Sequence, residues 1–453
     1  MPYFQETLDQ VVDLAAIQSR HIARYPYLLE SVAKGSEQGR FSLLFAFPQE
    51  RIQCLDANQA DTFFEDLQKR WETLSKPPTS ETLPFTGGWF VYLGYEAVKG
   101  IEPKLDNLAF PYDYPVAFAS RCPAGIIVDH VNHVTHCICE NDYHDLLDDL
   151  LADAGDESSS EQLSPMKVTP VEADPDEYTN GVQVILEYIR SGDVFQVNLS
   201  RSWQVELNNA IHPATLYQHL CRQNPAPFAC LVHHEKGNII SSSPERLVRV
   251  TNGKVETRPI AGTRPRTNDS QDRQWLGELR TDPKEQAEHI MLIDLERNDL
   301  GRVCMPGSIE VDELMELESY AHVHHIVSNI SGQLREGVTP VDVLKAVFPG
   351  GTITGCPKVR CMEIVAELEK EGRGPYTGSV GFINHDGSMD FNILIRTIFQ
   401  QDRTLHFRAG AGIVADSLPG RELDETRHKA KGLLLALGSL SDSSRLDSLP
   451  EAE

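Results

Sequence analysis

The chain has little positive charge. Its 453 residues include 41 lysines and arginines against 67 aspartates and glutamates, a formal net charge of −26. Proteins that bind nucleic acids or anionic membranes by electrostatic attraction carry basic surfaces, so this composition argues against both kinds of partner. An anionic small molecule stays compatible with the sequence, provided that local basic side chains or a metal ion receive it.

The sequence also lacks paired cysteines and long apolar runs. Its nine cysteines are scattered without a C-x-x-C pair, so we expect neither a disulfide framework nor a structural zinc site, but reduced thiols in a cytoplasm. No run of 18 apolar residues predicts a membrane span. The first residues, MPYFQETLDQ, have acids where a signal peptide needs a basic region and an apolar run.

Common nucleotide and hydrolase motifs are missing too. There is no G-x-S-x-G motif and no G-x-G-x-x-G between a strand and a helix. The glycine-rich PGGTITGCPK, residues 349–358, has Cys356 and Pro357 where a phosphate-binding P-loop needs lysine and serine or threonine. We therefore expect no nucleotide cofactor.

The chain is long enough for about three domains, or for one large body. Two acidic, serine-rich stretches, residues 152–166 and 439–453, are predicted to be poorly ordered. They divide the chain into an N-terminal segment (1–150), a linker or loop (151–170), a second domain (171–438) and a disordered tail (439–453). Strands and helices alternate without a βαβ rhythm, which favours an α+β fold.

Several elements can be placed locally. Asn252-Gly253 between two β-rich runs predicts a hairpin, and Asp174-Pro175 predicts a helix start. In residues 194–207 apolar and polar residues alternate, which places Gln196, Asn198 and Ser200 on one face of a strand. Further helices are predicted over residues 284–295 and 421–437.

Four glutamates form two i, i+3 pairs on these helices. Glu285 and Glu288 lie on one helix, and Glu422 and Glu425 on the other. The spacing places each pair on one helix face. Carboxylate oxygens suit Mg²⁺, which proteins hold with one or two carboxylates plus the substrate. Two solvated acidic faces are the simpler interpretation of the spacing alone.

The chain has few basic residues, and the candidates among them lie near two glycine-rich segments, residues 349–358 and 408–417. We interpret both segments as loops whose backbone N–H groups can hold a carboxylate, with tight turns as the alternative. Arg396 lies in the apolar, strand-like run FNILIRT, where burying its charge requires either an anionic ligand or a structural acid. Lys358 has the same two interpretations.

The run HVHHIVS contains His322, His324 and His325. They lie on a probable strand and alternate between its faces, which favours packing over a zinc site. A single acid/base histidine is the second interpretation.

Nine stretches of the chain occur together in a recognisable order over roughly residues 175–437. They are SGDVFQVNLSR, SSSPERLVRV, TRPIAGTRPR, AEHIMLIDLERNDLGRV, YAHVHHIVS, FPGGTITGCPKVRCMEI, YTGSVGF, MDFNILIRT and RAGAGIVADSLPGRELDETRHKAK. Together they resemble the chorismate-utilising enzymes, among them component I of anthranilate synthase and of aminodeoxychorismate synthase. YLLESVAKGSEQGRFSLL and LPFTGGWFVYLGYE resemble that family's first segment.

The resemblance implies two large antiparallel sheets packed orthogonally, with helices outside and both halves of the chain in one body. It also implies that Glu288 and Glu425 hold Mg²⁺, with Glu285 and Glu422 acting through water. Chorismate is a dicarboxylate, which four glutamates would repel without the cation. The ion would hold the ring carboxylate and polarise loss of the C4 hydroxyl.

The resemblance also assigns roles in substrate binding and catalysis to other side chains. Arg396 and Tyr376 would bind the second carboxylate, and Glu245 would be the general acid/base at the leaving hydroxyl. Thr352 would line the pocket, and His325 would steer charge near the reacting ring. The further candidates for substrate binding are Lys358 and the backbone N–H groups of Ala409, Gly410, Ala411 and Gly412.

The nucleophile follows from residue type. Relatives that use water carry a lysine base where this chain has Gln196. A neutral glutamine cannot deprotonate water, so we predict ammonia. The chain lacks an amidotransferase domain with its Cys/His pair, so a separate glutaminase subunit is expected to supply it.

Three sequence features bear on the product, and they disagree. The stretches Gln196–Leu199 (QVNL) and 350–355 (GGTITG) resemble aminodeoxychorismate synthases. Ala261 in PIAGT resembles anthranilate synthases, because well-known aminodeoxychorismate synthases have a nucleophilic lysine there. We predict conversion of chorismate and ammonia to 4-amino-4-deoxychorismate, for 4-aminobenzoate and folate synthesis. Anthranilate with pyruvate, for tryptophan synthesis, is the alternative product.

The sequence also suggests a tryptophan pocket, and it bears on whether the protein is an enzyme at all. Leu29, Glu30 and Ser31, with Pro225 and Phe228, resemble the tryptophan pocket of anthranilate synthases, although core packing and a turn would also explain them. Some aminodeoxychorismate synthases keep such a pocket, so it does not decide the product. A non-catalytic paralogue that binds chorismate or tryptophan is disfavoured, because every expected acid and the basic residue of the FNILIRT run are present.

Overall fold

The structure is a computed structural model. It describes residues 3–33, 39–76, 83–105, 110–156, 168–266, 277, 279, 282–319 and 323–438. Most of the expected linker (157–167), the expected tail (439–453) and His322 lie outside the described residues, so the predictions about them stay predictions.

The strands of the described residues form two antiparallel sheets. In chain order they are β1 (Tyr3–Leu8), β2 (Tyr27–Glu30), β3 (Phe41–Ala46), β4 (Arg51–Cys54), β5 (Gly88–Leu93), β6 (Ala117–Cys122), β7 (Ala124–Asp129), β8 (Val134–Glu140), β9 (Val171–Glu172), β10 (Gln196–Glu206), β11 (Phe228–His234), β12 (Gly237–Ser243), β13 (Arg246–Thr251), β14 (Lys254–Thr257), β15 (Ile260–Pro265), β16 (Glu310–Ser319), β17 (Val323–Gln333), β18 (Gly355–Cys356), β19 (Ser379–Asn384), β20 (Met389–Asn392), β21 (Thr397–Gln401) and β22 (Thr404–Ile413).

The helices lie between these strands in the chain. They are α1 (Leu14–Arg20), α2 (Ala60–Leu74), α3 (Leu147–Ala154), α4 (Pro175–Arg190), α5 (Pro213–Gln223), α6 (Pro283–Gly301), α7 (Pro340–Val347), α8 (Lys358–Leu368) and α9 (Pro419–Ala436). Short 3-10 turns include Gly351–Ile353, between α7 and β18.

The first sheet has 12 strands in the order β1-β8-β7-β3-β2-β11-β12-β21-β22-β10-β18, with β9 beside β10. The second has 10 strands in the order β15-β17-β14-β13-β20-β19-β5-β6-β4, with β16 beside β17. Two large antiparallel sheets with helices confirm the predicted α+β class. The predicted orthogonal angle between the sheets stays a prediction.

Strands from both ends of the chain share each sheet. In the first sheet β2 pairs with β11, and in the second β5 pairs with β19. A buried aromatic cluster joins the two sheets, where the ring of Tyr27 on β2 stacks on Phe90 of β5 with centroids 4.1 Å apart. The segment before residue 150 is therefore part of the same hydrophobic core as the later strands.

Local signals in the sequence place several elements correctly. The hairpin between β13 and β14 turns at Asn252 and Gly253, with φ values of 52° and 76°, as a type I′ turn requires. Helix α4 starts at Pro175, and the Asp174 side chain accepts a hydrogen bond of 2.9 Å from the Asp176 N–H. Helices α6 and α9 contain the two predicted glutamate pairs.

Two local predictions are wrong. Residues 408–413 are the end of strand β22 and not a loop, because the segment pairs with β10 from Val197 to Ser202. The run FNILIRT is not one strand, because the chain leaves β20 at Asn392 and enters β21 at Thr397. Arg396 lies in the turn between them with a φ of 51°.

Candidate active site

The polar face of β10 forms one wall of the candidate site. Val197 and Leu199 pack into an apolar cluster with α4 and α8, while Gln196 and Asn198 face polar groups. The Gln196 side-chain amide donates a hydrogen bond of 2.9 Å to Glu288 Oε1 on α6. The Asn198 amide donates one of 3.4 Å to the Thr352 carbonyl oxygen. The alternation in the sequence thus brings β10, α6 and the glycine-rich turn together.

A buried carboxyl group lies opposite this wall. Glu245 follows β12 and is 5% exposed, and its Oε1 accepts a hydrogen bond of 2.7 Å from the Thr352 hydroxyl. Burial raises the pKa of Glu245 to about 7, against the opposing effect of this hydrogen bond. Near neutral pH the group can therefore both donate and accept a proton, as a general acid/base must.

Arg396 provides positive charge on the same side. Its guanidinium donates a hydrogen bond of 3.0 Å to Asn224 Oδ1, and burial lowers its pKa, partly offset by Glu245. Among the described residues no carboxylate lies within ion-pair distance of it. The guanidinium charge is thus held by a neutral amide, which leaves it available for an anionic ligand.

Lys429 on α9 interacts with acids of both α6 and α9. Glu425 forms a 2.8 Å ion pair with Lys429, one helical turn later on α9. Burial would lower the pKa of Lys429, but Glu425, Tyr376 and Glu288 hold it above its ordinary value. The two predicted metal ligands, Glu288 and Glu425, therefore face one region that favours positive charge.

These carboxylates fit a magnesium ion in chemistry and number. Both are hard oxygen donors: Glu288 accepts a hydrogen bond from the neutral Gln196 amide, and Glu425 pairs with the ammonium group of Lys429, a contact that an ion can displace. Within the described residues, no three His, Cys, Asp or Glu side chains converge as a ready metal site. An ion here would be held by Glu288 and Glu425, with water and substrate completing its shell.

The supporting acids lie close by. The Glu285 carboxylate is 3.0 Å from the point where a Cβ on Gly262 would lie, at the bulge of β15. Glu422 is buried at the start of α9, and its charge, with that of Glu425, acts on the Tyr178 hydroxyl of α4. Whether Glu285 and Glu422 act on a metal ion through water stays a prediction.

Strand β22 has only alanine and glycine at residues 409–412, so its backbone comes close to the site. Among the described residues, β21 pairs with β22 only as far as Phe407. One edge of residues 409–412 is therefore not paired with β21 and can receive a ligand. A Cβ on Gly410 would lie 3.0 Å from the Tyr376 hydroxyl. The predicted anion-binding backbone is therefore a strand edge beside Tyr376 and not a loop.

The histidine and the alanine predicted for the site lie on neighbouring strands. His325 on β17 is 3% exposed, and burial, with Arg396 nearby, lowers its pKa to about 3. His325 is therefore neutral at ordinary pH and cannot supply a proton as an imidazolium. Ala261 on β15 pairs with Ile326, the next residue on β17.

Lys358 has a structural partner. Its ammonium group forms an ion pair with Asp299 of α6 and donates to the carbonyl oxygens of Val347 (3.0 Å) and Pro349 (2.8 Å). Three acceptors use all three N–H groups of the lysine. Of its two interpretations, the structural ion pair is the one observed, and this argues against substrate binding.

Comparisons with known proteins identify the family of the chain. The model of the chorismate binding enzyme family matches residues 25–435. The chain belongs to this family. An anthranilate synthase component I-like protein of Synechocystis sp. is 44% identical over 80% of this chain and 74% of its own length. The aminodeoxychorismate synthase component 1 of Bacillus subtilis is 40% identical over 81% of this chain and 80% of its own length.

A solved structure shows the same relationship. The crystal structure of anthranilate synthase component I from Streptococcus pneumoniae superposes with a TM-score of 0.75 and 32% sequence identity, over 88% of this chain and 93% of that one. Among the described residues, no helix is long and apolar enough to span a membrane.

The sequence reasoning missed a buried ionic cluster beneath the site of this chorismate-binding enzyme. Arg373 pairs with Glu369 at 2.7 Å and donates to the carbonyl oxygens of Asn198 (2.7 Å) and Ile353 (3.0 Å). Arg408 pairs with the same Glu369 at 3.0 Å. The cluster ties β10, β22 and the glycine-rich turn together. The i, i+4 spacing that relates Glu425 to Lys429 on α9 does not explain this pair, because Glu369 and Arg373 follow the end of α8.

Three of the five residues expected to form a tryptophan pocket line a separate cavity of about 660 Å³. Leu29, Glu30 and Phe228 line it, whereas Ser31 and Pro225 are not among its described lining residues. The guanidinium of Arg246 stacks over the Phe228 ring at 4.8 Å and pairs with Asp390. The cavity therefore offers apolar surface together with charges of both signs.

Proposed function

We propose that this chorismate-binding enzyme transfers ammonia to chorismate and releases 4-amino-4-deoxychorismate. The observation that carries the choice of nucleophile is the environment of Gln196, which is buried and donates to Glu288. A glutamine cannot take a proton from water, whereas ammonia needs no base to attack. An ammonia-dependent reaction is therefore favoured over hydration.

Chorismate is a dicarboxylate, and the site offers two places for negative charge. Arg396, with the Tyr376 hydroxyl and the free edge of β22, would bind one carboxylate. Glu288 and Glu425 would hold Mg²⁺, which supplies charge neutralisation at the second carboxylate and polarises the departing hydroxyl. His325, neutral and buried beside Arg396, adds no competing charge.

Glu245 would handle the proton in this reaction. The C4–O bond breaks, and the hydroxyl leaves as water with the proton of the Glu245 carboxyl group. The ammonia nitrogen bonds to C4, and its surplus proton returns to Glu245, so that the enzyme ends as it began. A pKa of about 7 suits a group that gives and takes the same proton.

The contact between β10 and the glycine-rich turn supports 4-amino-4-deoxychorismate as the product. The side chain and backbone N–H of Asn198 donate to the carbonyl oxygens of Thr352 and Thr354. The two sequence features that favour this product thus form one joined wall. Anthranilate with pyruvate is the second candidate, because Ala261 offers no lysine nucleophile and relatives named as anthranilate synthases also match the chain.

Two partners belong to this proposal. A separate glutamine amidotransferase subunit would supply ammonia, since the related proteins are named as component I or component 1 of their synthases. Tryptophan would occupy the cavity beside Leu29, Glu30 and Phe228, where the Arg246 and Asp390 pair can meet an amino acid's charges.

The deciding experiment is a product analysis. Purified protein is incubated with chorismate, Mg²⁺ and ammonium at alkaline pH, with and without an added aminodeoxychorismate lyase. The products are identified by chromatography and mass spectrometry. We expect an aminated product that retains pyruvate and becomes 4-aminobenzoate only with the lyase. Fluorescent anthranilate formed without a lyase would instead establish the second candidate.

Variants test the metal ligands separately from the product. Glu288→Gln and Glu425→Gln should each abolish turnover without changing the circular dichroism spectrum, because an amide cannot replace an anionic ligand. The control is Glu187→Gln, at an exposed position of α4. Full turnover in either ligand variant would refute the metal assignment, whereas no turnover in the wild type would support a binding protein instead.

A further inference from the structure

A second buried glutamate lies behind the turn that holds Glu245. Glu296 on α6 is 4% exposed. It accepts hydrogen bonds from the Thr257 hydroxyl (3.0 Å) and from the Gly351 N–H (3.3 Å). Three elements of the chain, α6, β14 and the 351–353 turn, therefore meet at this one carboxyl group.

The same turn connects the two carboxyl groups. Gly351 donates its N–H to Glu296, and the next residue, Thr352, donates its hydroxyl to Glu245 Oε1. A Cβ on Gly351 would lie 3.1 Å from Glu296 Oε1, so the close approach depends on glycine at this position. Two neighbouring residues thus hold two buried acids on either side of one short turn.

We propose that Glu296 is a positioning residue for Glu245: through the Gly351 N–H it holds the 351–353 turn so that the Thr352 hydroxyl stays against Glu245, and the two carboxyl groups lose their protons as a coupled pair. This inference rests on the proposed role of Glu245 as the acid/base in the reaction. It extends that role, because it names a buried group that, in addition to burial, opposes the loss of the Glu245 proton.

The surrounding charges agree in direction. Burial raises the pKa of Glu245 and that of Glu296 each to about 7, and the charge of Glu296 adds to the effect on Glu245. Lys429 lowers the pKa of Glu245, and Arg396 also faces it. When two acids repel each other in this way, ionisation of one delays ionisation of the other.

Glu296 has charged neighbours of its own. Asp299 raises the pKa of Glu296, and Lys358, which pairs with Asp299, lowers it. A chain of groups therefore runs from Lys358 through Asp299 and Glu296 to the turn and Glu245. Lys358, which was expected to bind substrate, instead stabilises the charged forms of Asp299 and Glu296.

The test measures the titration of the two carboxyl groups directly. Protein labelled with ¹³C at the glutamate side-chain carboxyl is titrated by NMR, and the signals are assigned with Glu245→Gln and Glu296→Gln. In Glu296→Gln we expect Glu245 to lose its proton at a pH lower by about one unit. The alkaline limb of kcat, corrected for free ammonia, should move in the same direction, with little change in the KM for chorismate.

Reciprocity provides a second measurement that does not depend on Glu296→Gln folding. In Glu245→Gln the Glu296 signal should also titrate at lower pH, because the interaction acts equally on both partners. Glu296→Asp keeps the charge and should restore most of the wild-type pH profile. A Glu245 titration that is the same in wild type and Glu296→Gln, or a Glu296 titration unmoved in Glu245→Gln, would overturn the inference.

The design separates this inference from the proposed function. If Glu245→Gln retains turnover, the acid/base assignment of Glu245 fails, whatever the NMR titration shows. If Glu245→Gln is inactive while the two titrations are independent of each other, the proposed function stands and only the role of Glu296 fails.

Discussion

Single glutamates of this chain differ in charge state because their buried partners differ. Burial alone would raise the pKa of Glu369, but Arg373 and Arg408 hold it below its usual value. Glu96, also buried, accepts hydrogen bonds from backbone N–H groups, among them those of Arg373 (2.7 Å) and Gly374, and burial raises its pKa to about 7. The two acids therefore have opposite effects on the pH dependence of stability.

The substitution Glu96→Gln should change that pH dependence. A raised pKa in the folded state means that Glu96 stabilises the fold below its unfolded pKa, and that this contribution is lost as the pH rises through about 7. Between pH 5 and pH 9 the wild type should lose about 2–3 kcal/mol of unfolding free energy relative to Glu96→Gln. Urea unfolding at several pH values measures the difference.

The exposed variant Glu187→Gln is the matched control for this experiment, because its side chain is 71% exposed. Its unfolding free energy should follow the wild type at every pH. A constant difference between wild type and Glu96→Gln across the range would mean that Glu96 stays charged in the folded protein.

Among the elements, strand β22 shows how the site is assembled from backbone. The sequence predicts a loop at its glycines, but the structure shows a strand in which the missing Cβ atoms allow neighbouring side chains to pack closely. A Cβ on Gly412 would overlap the Gln196 Nε2 atom and lie 3.5 Å from Glu288 Oε1. The strand therefore needs glycine at this position for the contact between Gln196 and Glu288.

Gly412→Ala should lower activity more than stability. The added methyl group must displace the Gln196 amide from Glu288, and misplacement of this size reduces kcat/KM by about tenfold to a hundredfold. Gly420→Ala on α9 is the control, since a Cβ there meets nothing within 4 Å. Its kinetics should match the wild type. Equal kinetics in the two variants would show that the close approach at β22 does not matter for catalysis.

The whole molecule is held together by strands that are distant in sequence. Without the segment before residue 157, β11 loses its partner β2 and β19 loses β5. The buried aromatic rings between the two sheets would also be exposed to water. The boundary expected near residue 150 is thus crossed by both sheets.

A fragment of residues 168–438 should therefore fail to fold by itself. We expect it to aggregate or to bind a hydrophobic dye, and to lack a cooperative unfolding transition. Adding a fragment of residues 1–156 during refolding should restore part of the native circular dichroism and the turnover of chorismate. Cooperative unfolding and turnover by the shorter fragment alone would contradict this expectation.

Local sequence signals were sufficient where the physics is local. Helix starts, the Asn252-Gly253 hairpin and the glutamate pairs on α6 and α9 follow from capping, turn geometry and i, i+3 spacing. The family was recognisable because nine motifs occur in one order. The strand character of residues 408–413 was not recognisable, because glycine lowers strand propensity and only the pairing with β10 outweighs it.

By itself the sequence determined the α+β class, the family and most residues of the candidate site. Only the tertiary structure decided which distant groups interact: Lys358 with Asp299, Lys429 with Glu288, and Glu296 with the turn that holds Glu245. The physical reason is that burial and electrostatic coupling depend on distances across the fold. Residues 245, 296 and 351 are far apart in the chain, and the packing of α6 against two sheet segments and a turn makes them neighbours.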